Sequence, residues 1–491
     1  MTQLASPRPV TARDPRRWWA LAVLAASLLV VVMDMTILNV ALPEMTEELR
    51  LSSVSQLWIV DAYALTLAGL LVPITALGDR WGRKRMLLAG YAVFAVGSLA
   101  VLWADSPGAV VAIRALLGVG GAMVMPSTLS LIRALFTDVR ERTLALSIWG
   151  GTAALGSAVG PVVGGALLEA FSWHAAFLVN VPLMAVAVVA GLWLLRENRS
   201  ARPGRIDALG VVLSAGGMTA LVYAVKQLGK HGPTPLTLAL LVAGALAMAA
   251  FVRHCLRSSR PMLDVRLFAQ PVLRAGVVAA LASGTTMVAV LFVGAQWLQL
   301  VEGFGPLRAG LALLPLAVGA IVASPFAPAA RTSPRLVLTG GLLTLASGLV
   351  LLAALPATYP WVALAFGVVG LGTSALGLAS ALIMGAANDD QAGSAAAIEE
   401  ITYELGSVLA ITFLGSLAGA VYRAGLPAGV DAATRESVAG AVGTDTFGVA
   451  ARSFVTAFSS VGAVTALLAL AAAYTVWRLV PASLTLSDTD H

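Results

Sequence analysis

The sequence holds one cysteine, Cys255, in 491 residues. That excludes an intrachain disulfide and any paired-cysteine metal or redox site. Charge is also scarce. Asp, Glu, Lys and Arg make up 11% of the chain, where a soluble protein carries about a quarter. Lysine is nearly absent: of 31 basic residues only Lys84, Lys226 and Lys230 are lysines. With the high Ala and Gly content, this points to a GC-rich bacterial genome. There is no GxxxxGK phosphate loop and no soluble nucleotide domain, which argues against an ATP-driven pump. No His/Asp/Glu metal cluster and no nucleophile triad occurs, so neither an enzyme nor a metal or other cofactor is expected. The ten-residue alternation of an outer-membrane barrel is missing as well.

What the chain does have is apolar surface. The apolar fraction is 59% and the mean hydropathy +0.89. Lipid is the solvent that tolerates this balance. A spanning helix needs roughly 20 apolar residues to cross a core of about 30 Å. Apolar runs lie near 17–40, 54–77, 86–104, 108–132, 143–169, 173–195, 207–228 and 235–255. Further runs lie near 273–300, 308–329, 335–355, 360–386, 392–420 and 452–479. The expected fold is therefore all-α and integral to the membrane, with about 14 transmembrane helices.

The net charge of +6 is not a nucleic-acid signal, because it follows the loops. Cytoplasmic loops collect Lys and Arg. Basic residues crowd the N-terminus (Arg8, Arg13, Arg16, Arg17), loop 2–3 (Arg80, Arg83, Lys84, Arg85) and loop 4–5 (Arg133, Arg140, Arg142). They recur in loop 6–7 (Arg196, Arg199, Arg202, Arg205) and loop 8–9 (Arg253, Arg257, Arg260, Arg266). The alternate loops are short, acidic or mixed, as at Glu44, Glu47 and Glu48. Both termini are expected in the cytoplasm. Loop 12–13 breaks the pattern with Asp389 and Asp390, and Arg478 agrees with it. The first span is too long for a cleaved signal peptide and lacks its cleavage site. The outer loop near 421–451, rich in Ala and Gly, is expected to be a surface excursion.

A charge inside lipid costs several kcal/mol and needs a reason. Asp34 falls deep in the first helix and Asp61 early in the second, which runs the other way. At 1.5 Å per residue both lie about 10 Å inside the outer edge. Two acids at one level suit proton exchange or cation binding; a structural hydrogen bond to a neighbouring helix end is the alternative. In the thirteenth run, GSAAAIEEITYELG, Glu400 and Glu404 share a helix face while Glu399 points about 100° away. These acids can receive a cation from inside, or, if the helix begins after Glu400, the first two decorate an exposed N-terminal turn. Arg114, in the fourth run, must face a carboxylate, carbonyls or water. It either controls proton movement or locks helices together. His174, beside Trp173 at an outer helix end, reads as interfacial rather than as a relay.

Gly156, Gly160 and Gly164 recur at four-residue spacing in the fifth run, with Pro161 and Gly165 alongside. Small-xxx-small spacing lets helix backbones approach, and proline weakens the local ladder. Trp58, Tyr63, Trp149, Trp297 and Tyr403 are candidate ring faces for an organic cation, or members of the interfacial belt and lipid-facing packing.

These segments together resemble the major facilitator superfamily, and within it the 14-helix drug:proton antiporters. DMTILNVALP (34–43) is similar to that subfamily's first-helix motif and LGDRWGRKR (77–85) to the superfamily's loop 2–3 signature. The second resemblance implies that Asp79 and Arg83, with Arg80 and Gly82 beside them, form charge and helix-end contacts that control opening; Thr75 stands where that signature usually begins with Gly. AIRALLGVGGAM resembles the fourth-helix motif, implying that Arg114 assists proton coupling. GSAVGPVVGG resembles the antiporter motif; WHAAFLVNVP (173–182) and DALGVVL (207–213) resemble further subfamily segments. QLWIVD and AAAIEEITYELG are similar to QacA-type exporters of quaternary ammonium compounds, which implies cation recognition or coupling at Asp34, Asp61 and Glu400. LPLAVGAIVASPFAP (314–328) carries no acid, whereas some relatives have one there that broadens acceptance of dications.

The resemblance implies a cytoplasmic tail (1–16), a six-helix bundle (17–196), a central helix pair (207–255), a cytoplasmic loop (256–272), a second six-helix bundle (273–480) and a cytoplasmic tail (481–491). It implies as partners protons, small cationic or amphipathic molecules and the lipid bilayer, without nucleic acid, for a monomer in the bacterial inner membrane. The expected function is proton-driven export of such compounds. Export of one self-made antibiotic or metabolite is the alternative, and a channel or receptor a more distant one.

Overall fold

The computed structural model describes residues 16–482 apart from 52, 201–207 and 324–332. The N-terminal arginines Arg8 and Arg13, Arg202 and Arg205 of loop 6–7, the end of the 314–328 segment and most of the C-terminal tail lie outside the described residues.

The described residues are helical and contain no strand. The first set of helices is α1 (Arg16–Leu49), α2 (Ser53–Trp81), α3 (Arg83–Leu99), α4 (Pro107–Leu135), α5 (Val139–Ala170) and α6 (Asn180–Leu194). Next come α7 (208–231, with a π-helical turn at Val212–Gly216) and α8 (Pro235–Arg257). The last set is α9 (Pro271–Val301), α10 (Pro306–Ala312 and Leu314–Ala323), α11 (Pro334–Ala354), α12 (Tyr359–Gly385), α13 (Ala392–Ala424) and α14 (Phe447–Leu479). Among the described residues, twelve helices are long and apolar enough to cross a membrane. The apolar stretches Val159–Ala170 in α5 and Arg308–Ala323 in α10 are shorter, so the described residues do not confirm the expected count of fourteen. The start of α5 carries Arg140, Glu141 and Arg142, which shortens its apolar stretch.

Local chemistry sets the helix starts. Ser106 caps α4, Asp138 α5, Thr234 α8 and Ser333 α11, each side-chain oxygen accepting from a backbone N–H of the first turn. Proline opens α4, α8, α9, α10 and α11, where its missing N–H has no partner to lose.

Packing repeats between the two sets. In the first, α1 lies on α5 and α2 on α4; in the second, α9 lies on α13 and α10 on α12. The sets meet where α5 packs on α10 and α12, and where α2 and α4 pack on α13. The α7–α8 pair contacts the first set through α2, and α7 also reaches α13. The segment after α13 runs over the surface, most of its described residues being exposed, and it is tied down at several points. Tyr422 at the end of α13 is buried and its hydroxyl donates to the Thr434 carbonyl at 2.7 Å. Val438 and Ala441 are buried in the same core. A short helix, Ala432–Glu436, capped by Asp431, folds this segment over the end of the second set; apolar side chains scattered among its Ala and Gly supply the anchor.

Candidate functional site

A cluster of charges is strung between helices inside the first set. Asp34 on α1 is 1% exposed and Arg114 on α4 is 2% exposed. Arg114 Nη1 donates to Asp34 Oδ2 at 2.7 Å and its Nε to the Ile59 carbonyl at 3.2 Å. Its guanidinium also lies over the Tyr63 ring, 4.6 Å from the centroid. Asn180, at the start of α6, donates from Nδ2 to Asp34 Oδ1 at 2.8 Å and to Ser98 Oγ at 3.3 Å. Both carboxylate oxygens of Asp34 are thus engaged by donors. Burial makes such a pair rigid, because each partner would be costly alone.

Asp61 sits on α2 with a different partner. Lys226 Nζ, from α7, donates to Asp61 Oδ1 at 2.9 Å. The side chains are 10% and 14% exposed, so this pair is wetter than the first. Trp58, itself largely exposed, stacks on Tyr223 with centroids 5.8 Å apart. Tyr223 in turn accepts from Gln227 Nε2 at 2.8 Å. An apolar cluster of Leu65, Ala68, Met218, Val222 and Val408 joins α2, α7 and α13 beside the pair.

On α13 the acids lie well inside the helix, which begins at Ala392. The exposed N-terminal turn allowed by the sequence is therefore not their setting: Glu399 and Glu400 are both buried. Ser380 of α12 donates to Glu399 Oε1. Glu399 Oε2, Glu400 Oε1 and the hydroxyls of Tyr63 and Tyr403 are buried without a hydrogen-bond partner among the described residues. Glu404 lies within range of the Lys226 charge. Arg114 answers Asp34 and Lys226 answers Asp61, while among the described residues no salt bridge reaches the glutamates of α13.

One end of the molecule carries the basic loops and ties the two sets together. Asp79 and Arg83 form a buried ion pair across the α2–α3 turn. Arg80 is exposed. Gly82 has φ of 117°, a left-handed conformation natural to glycine, and a Cβ there would strike the Glu197 carboxylate. That carboxylate accepts from the N–H groups of Lys84 at 3.0 Å and Arg85 at 3.3 Å, capping α3 from a distant loop. A Cβ on Gly393, in the first turn of α13, would collide with Asp79 and Arg83, so the pair sits against the start of that helix. Arg133, in the last turn of α4, donates to the carbonyls of Met384 and Ala387 at the end of α12. Ser200 donates to Asp390 at 3.2 Å, and Gln391 to Asp264 at 2.6 Å.

The glycines of α5 face α1. A Cβ at Gly156 would lie 2.9 Å from the Leu29 carbonyl oxygen, and one at Gly164 2.8 Å from Ile37 Cγ1. At Gly160 it would overlap the Thr36 hydroxyl. Pro161 lies inside the same helix and Gly165 is half-buried. This seam runs beside Asp34. The remaining aromatics divide. Tyr63 and Tyr403 are close enough to the acids to feel their charges. Trp149 is buried, donating to Thr128 Oγ1 at 3.1 Å. Trp297 is buried in the core of the second set, stacked on Phe458 at 5.8 Å, and is not brought to the carboxylates by any contact. His174 stacks on Trp173, whose N–H groups are taken by Glu44 and Glu48.

Four contributors escaped the sequence reading. Lys226 carried a usable signal, a charge within an apolar run, and the cost of burying it should have flagged it. Asn180, Ser380 and Arg133 carried none beyond polarity.

The sequence from 24 to 411 matches the family model described as Major Facilitator Superfamily. The chain is 42% identical over 445 residues to the multidrug efflux pump LfrA of Mycolicibacterium smegmatis, covering 88% of each chain. It is 38% identical to the methyl viologen resistance protein SmvA of Salmonella typhimurium, covering 85% of this chain and 86% of that one. To the puromycin resistance protein pur8 of Streptomyces alboniger it is 34% identical, covering 82% of each. Among solved structures, the proton:xylose symporter XylE superposes with a TM-score of 0.63 at 13% identity, over 97% of this chain and 99% of that one.

Proposed function

The chain belongs to the major facilitator superfamily and is a multi-pass membrane transporter rather than an enzyme; on that premise we propose that it exports cationic and lipophilic compounds in exchange for protons. Relatives named as multidrug efflux and drug-resistance proteins support the direction and the cargo class. On this reading the chain acts as a monomer in a bacterial inner membrane, with both termini in the cytoplasm, no nucleotide and no other cofactor. The helices divide into two six-helix bundles flanking the α7–α8 pair.

The observation that carries the proton half is the acidic set on α13. Glu399 and Glu400 are buried, and among the described residues each has an oxygen that finds no donor and neither has a cation in a salt bridge. A buried carboxylate is stable when protonated or when it faces a cation, and uncomfortable otherwise. Proton and cargo therefore exclude one another at this place. The ring of Tyr403 lies within range of the same acids, where its face can add roughly 0.5–2 kcal/mol toward an organic cation. Asp34 and Asp61 hold the surrounding helices in register and complete the field. Cargo enters from the cytoplasm or inner leaflet once the basic-end ties open, and protonation from the far side releases it. A potential of about 100 mV adds about 2.3 kcal/mol per net charge moved.

The test is ethidium or tetraphenylphosphonium flux in proteoliposomes under an imposed pH difference, comparing wild type with Glu400→Gln. Wild type should concentrate the cation against its gradient only while the proton gradient lasts. Glu400→Gln should lose that accumulation at equal expression. Uphill movement with no pH or voltage difference would end the proposal. A second reading, a dedicated exporter of one antibiotic, draws on relatives named for puromycin and for tetracenomycin C, 34% and 32% identical. Response to a single compound of a broad cation panel would favour it.

A further inference from the structure

The α7–α8 pair lies outside the repeated packing of the two sets, yet α7 delivers a charge to the acids. We propose that Lys226 is a built-in competitor for cationic cargo: its ammonium occupies Asp61 and so limits how much positive charge a bound molecule can carry. This deepens the reading of the acids as a cation site and rests on it.

The geometry separates Arg114 from Lys226. Arg114 is fixed at several points: a carboxylate oxygen, a backbone carbonyl and a ring face. It is almost fully buried, and nothing on its surface admits a rival. Lys226 donates from Nζ to Asp61 Oδ1 at 2.9 Å, and both side chains retain some exposure. An ammonium on a flexible four-carbon stem can swing away from a carboxylate far more readily than a clamped guanidinium. The backbone that carries it is nevertheless precisely held. Leu65 and Ala68 of α2 pack on Met218 and Val222 of α7. One turn pair deeper, a Cβ on Gly69 would come within 2.5 Å of Thr219 Oγ1. The helix is therefore anchored and only the lysine side chain is displaceable.

The surroundings match a cation site with its own occupant. The stacked rings of Trp58 and Tyr223 stand beside the pair, three residues before Asp61 and Lys226 respectively. Glu404 of α13 lies within range of the same ammonium. With Lys226 in place, its charge offsets that of Asp61, and a cation bound at the glutamates of α13 is opposed by the same ammonium. With the lysine neutralised by mutation, one positive charge facing the cargo is gone, and a second positive charge on the cargo is opposed less.

A purely structural lock would weaken all binding together when broken, whereas a competitor changes the ratio between cargo charges. The test is equilibrium binding to purified full-length protein in nanodiscs, at fixed low ionic strength and without any gradient. The probes are tetraphenylphosphonium, a monocation, and methyl viologen, a dication. Lys226→Gln should raise the ratio of dication to monocation affinity by about tenfold, the scale of one unit charge several ångströms away in a partly hydrated site. Lys226→Arg should leave the ratio near wild type. Asp61→Asn, which strands the ammonium, should move the ratio the opposite way, and the Lys226→Gln/Asp61→Asn pair should return it toward wild type. The Asp61→Asn arm stands if Lys226→Gln does not fold. An unchanged ratio, or equal weakening of both probes, would overturn the assignment, as would wild-type protein that binds neither. Protein that binds both probes with the expected ratios but moves neither against a proton gradient would overturn the export reading alone.

Discussion

Replacing Asp34 by Asn tests the central ion pair in its most exacting form, because shape is kept and only charge and one acceptor are lost. In the native site Oδ2 accepts from Arg114 and Oδ1 from Asn180, at 2.7 and 2.8 Å. An amide offers one acceptor oxygen, so its NH₂ must point at either a guanidinium or another amide NH₂. One hydrogen bond becomes a donor–donor clash, and the Arg114 charge, 2% exposed, loses its counter-ion. The bond to the Ile59 carbonyl and the Tyr63 face remain, but neither carries a full negative charge. Stranding one member of a buried pair costs about 3–5 kcal/mol, whereas replacing both by apolar groups of similar size is often near neutral. Reversible unfolding in mixed micelles should show Asp34→Asn destabilised by about that amount. Asp34→Asn/Arg114→Met should recover most of the loss while remaining inactive in transport. If Asp34→Asn unfolded within about 1 kcal/mol of wild type, the pair could not be the desolvated contact described here.

Two further changes probe the seam and the basic end. Gly160→Val forces a side chain into Thr36 and toward the Met33 carbonyl, 3.0 Å from the Cβ position; overpacking of this kind costs about 1–3 kcal/mol. Transport should fall more than expression does, and Thr36→Ala should restore part of it for Gly160→Ala; wild-type transport by Gly160→Val would refute the close contact of α1 and α5. Arg133→Ala removes both ties to the end of α12, each charge-assisted bond worth about 1.5–3 kcal/mol. Since the natural Cys255 is buried, a thiol placed by Ala386→Cys can report opening at that end. Labelling should rise several-fold with Arg133→Ala, and an unchanged rate would show that the ties do not hold the end shut.

How much of this was legible in the sequence depends on distance along the chain. The helices were legible because apolar runs of sufficient length have one solution in lipid. The acids were legible because their burial is costly. Their partners were not: Arg114 lies 80 positions from Asp34 and Lys226 lies 165 from Asp61, and a cost argument names a charge without naming its neighbour. Hence Asp34 and Asp61 read as equivalent acids at one depth, although one is clamped by arginine and amide and the other by a partly hydrated lysine. Trp297 illustrates the same limit from the apolar side. A tryptophan in an apolar helix fits a cargo wall and a packed core equally well until Phe458 is found against it.

The placement of the acids on α13 links charge to movement without any long relay. Glu400 lies seven residues beyond Gly393 on one helix, which at 1.5 Å per residue is about 10 Å of rigid rod. The start of that rod is where Asp79 and Arg83 press on Gly393, where Ser394 accepts from the Asp264 N–H at 2.9 Å, and where Ser200 meets Asp390. A helix N-terminus favours a carboxylate such as Asp79, so small axial shifts of α13 alter that contact directly. Exchange of a proton for a cation at Glu400 changes what α13 must face on α2, α7 and α12. The helix cannot adjust there without also moving its end against the α2–α3 turn. On the proposed reading, coupling therefore needs only one element with two resting positions, read by cargo at its middle and by the basic-end ties at its start.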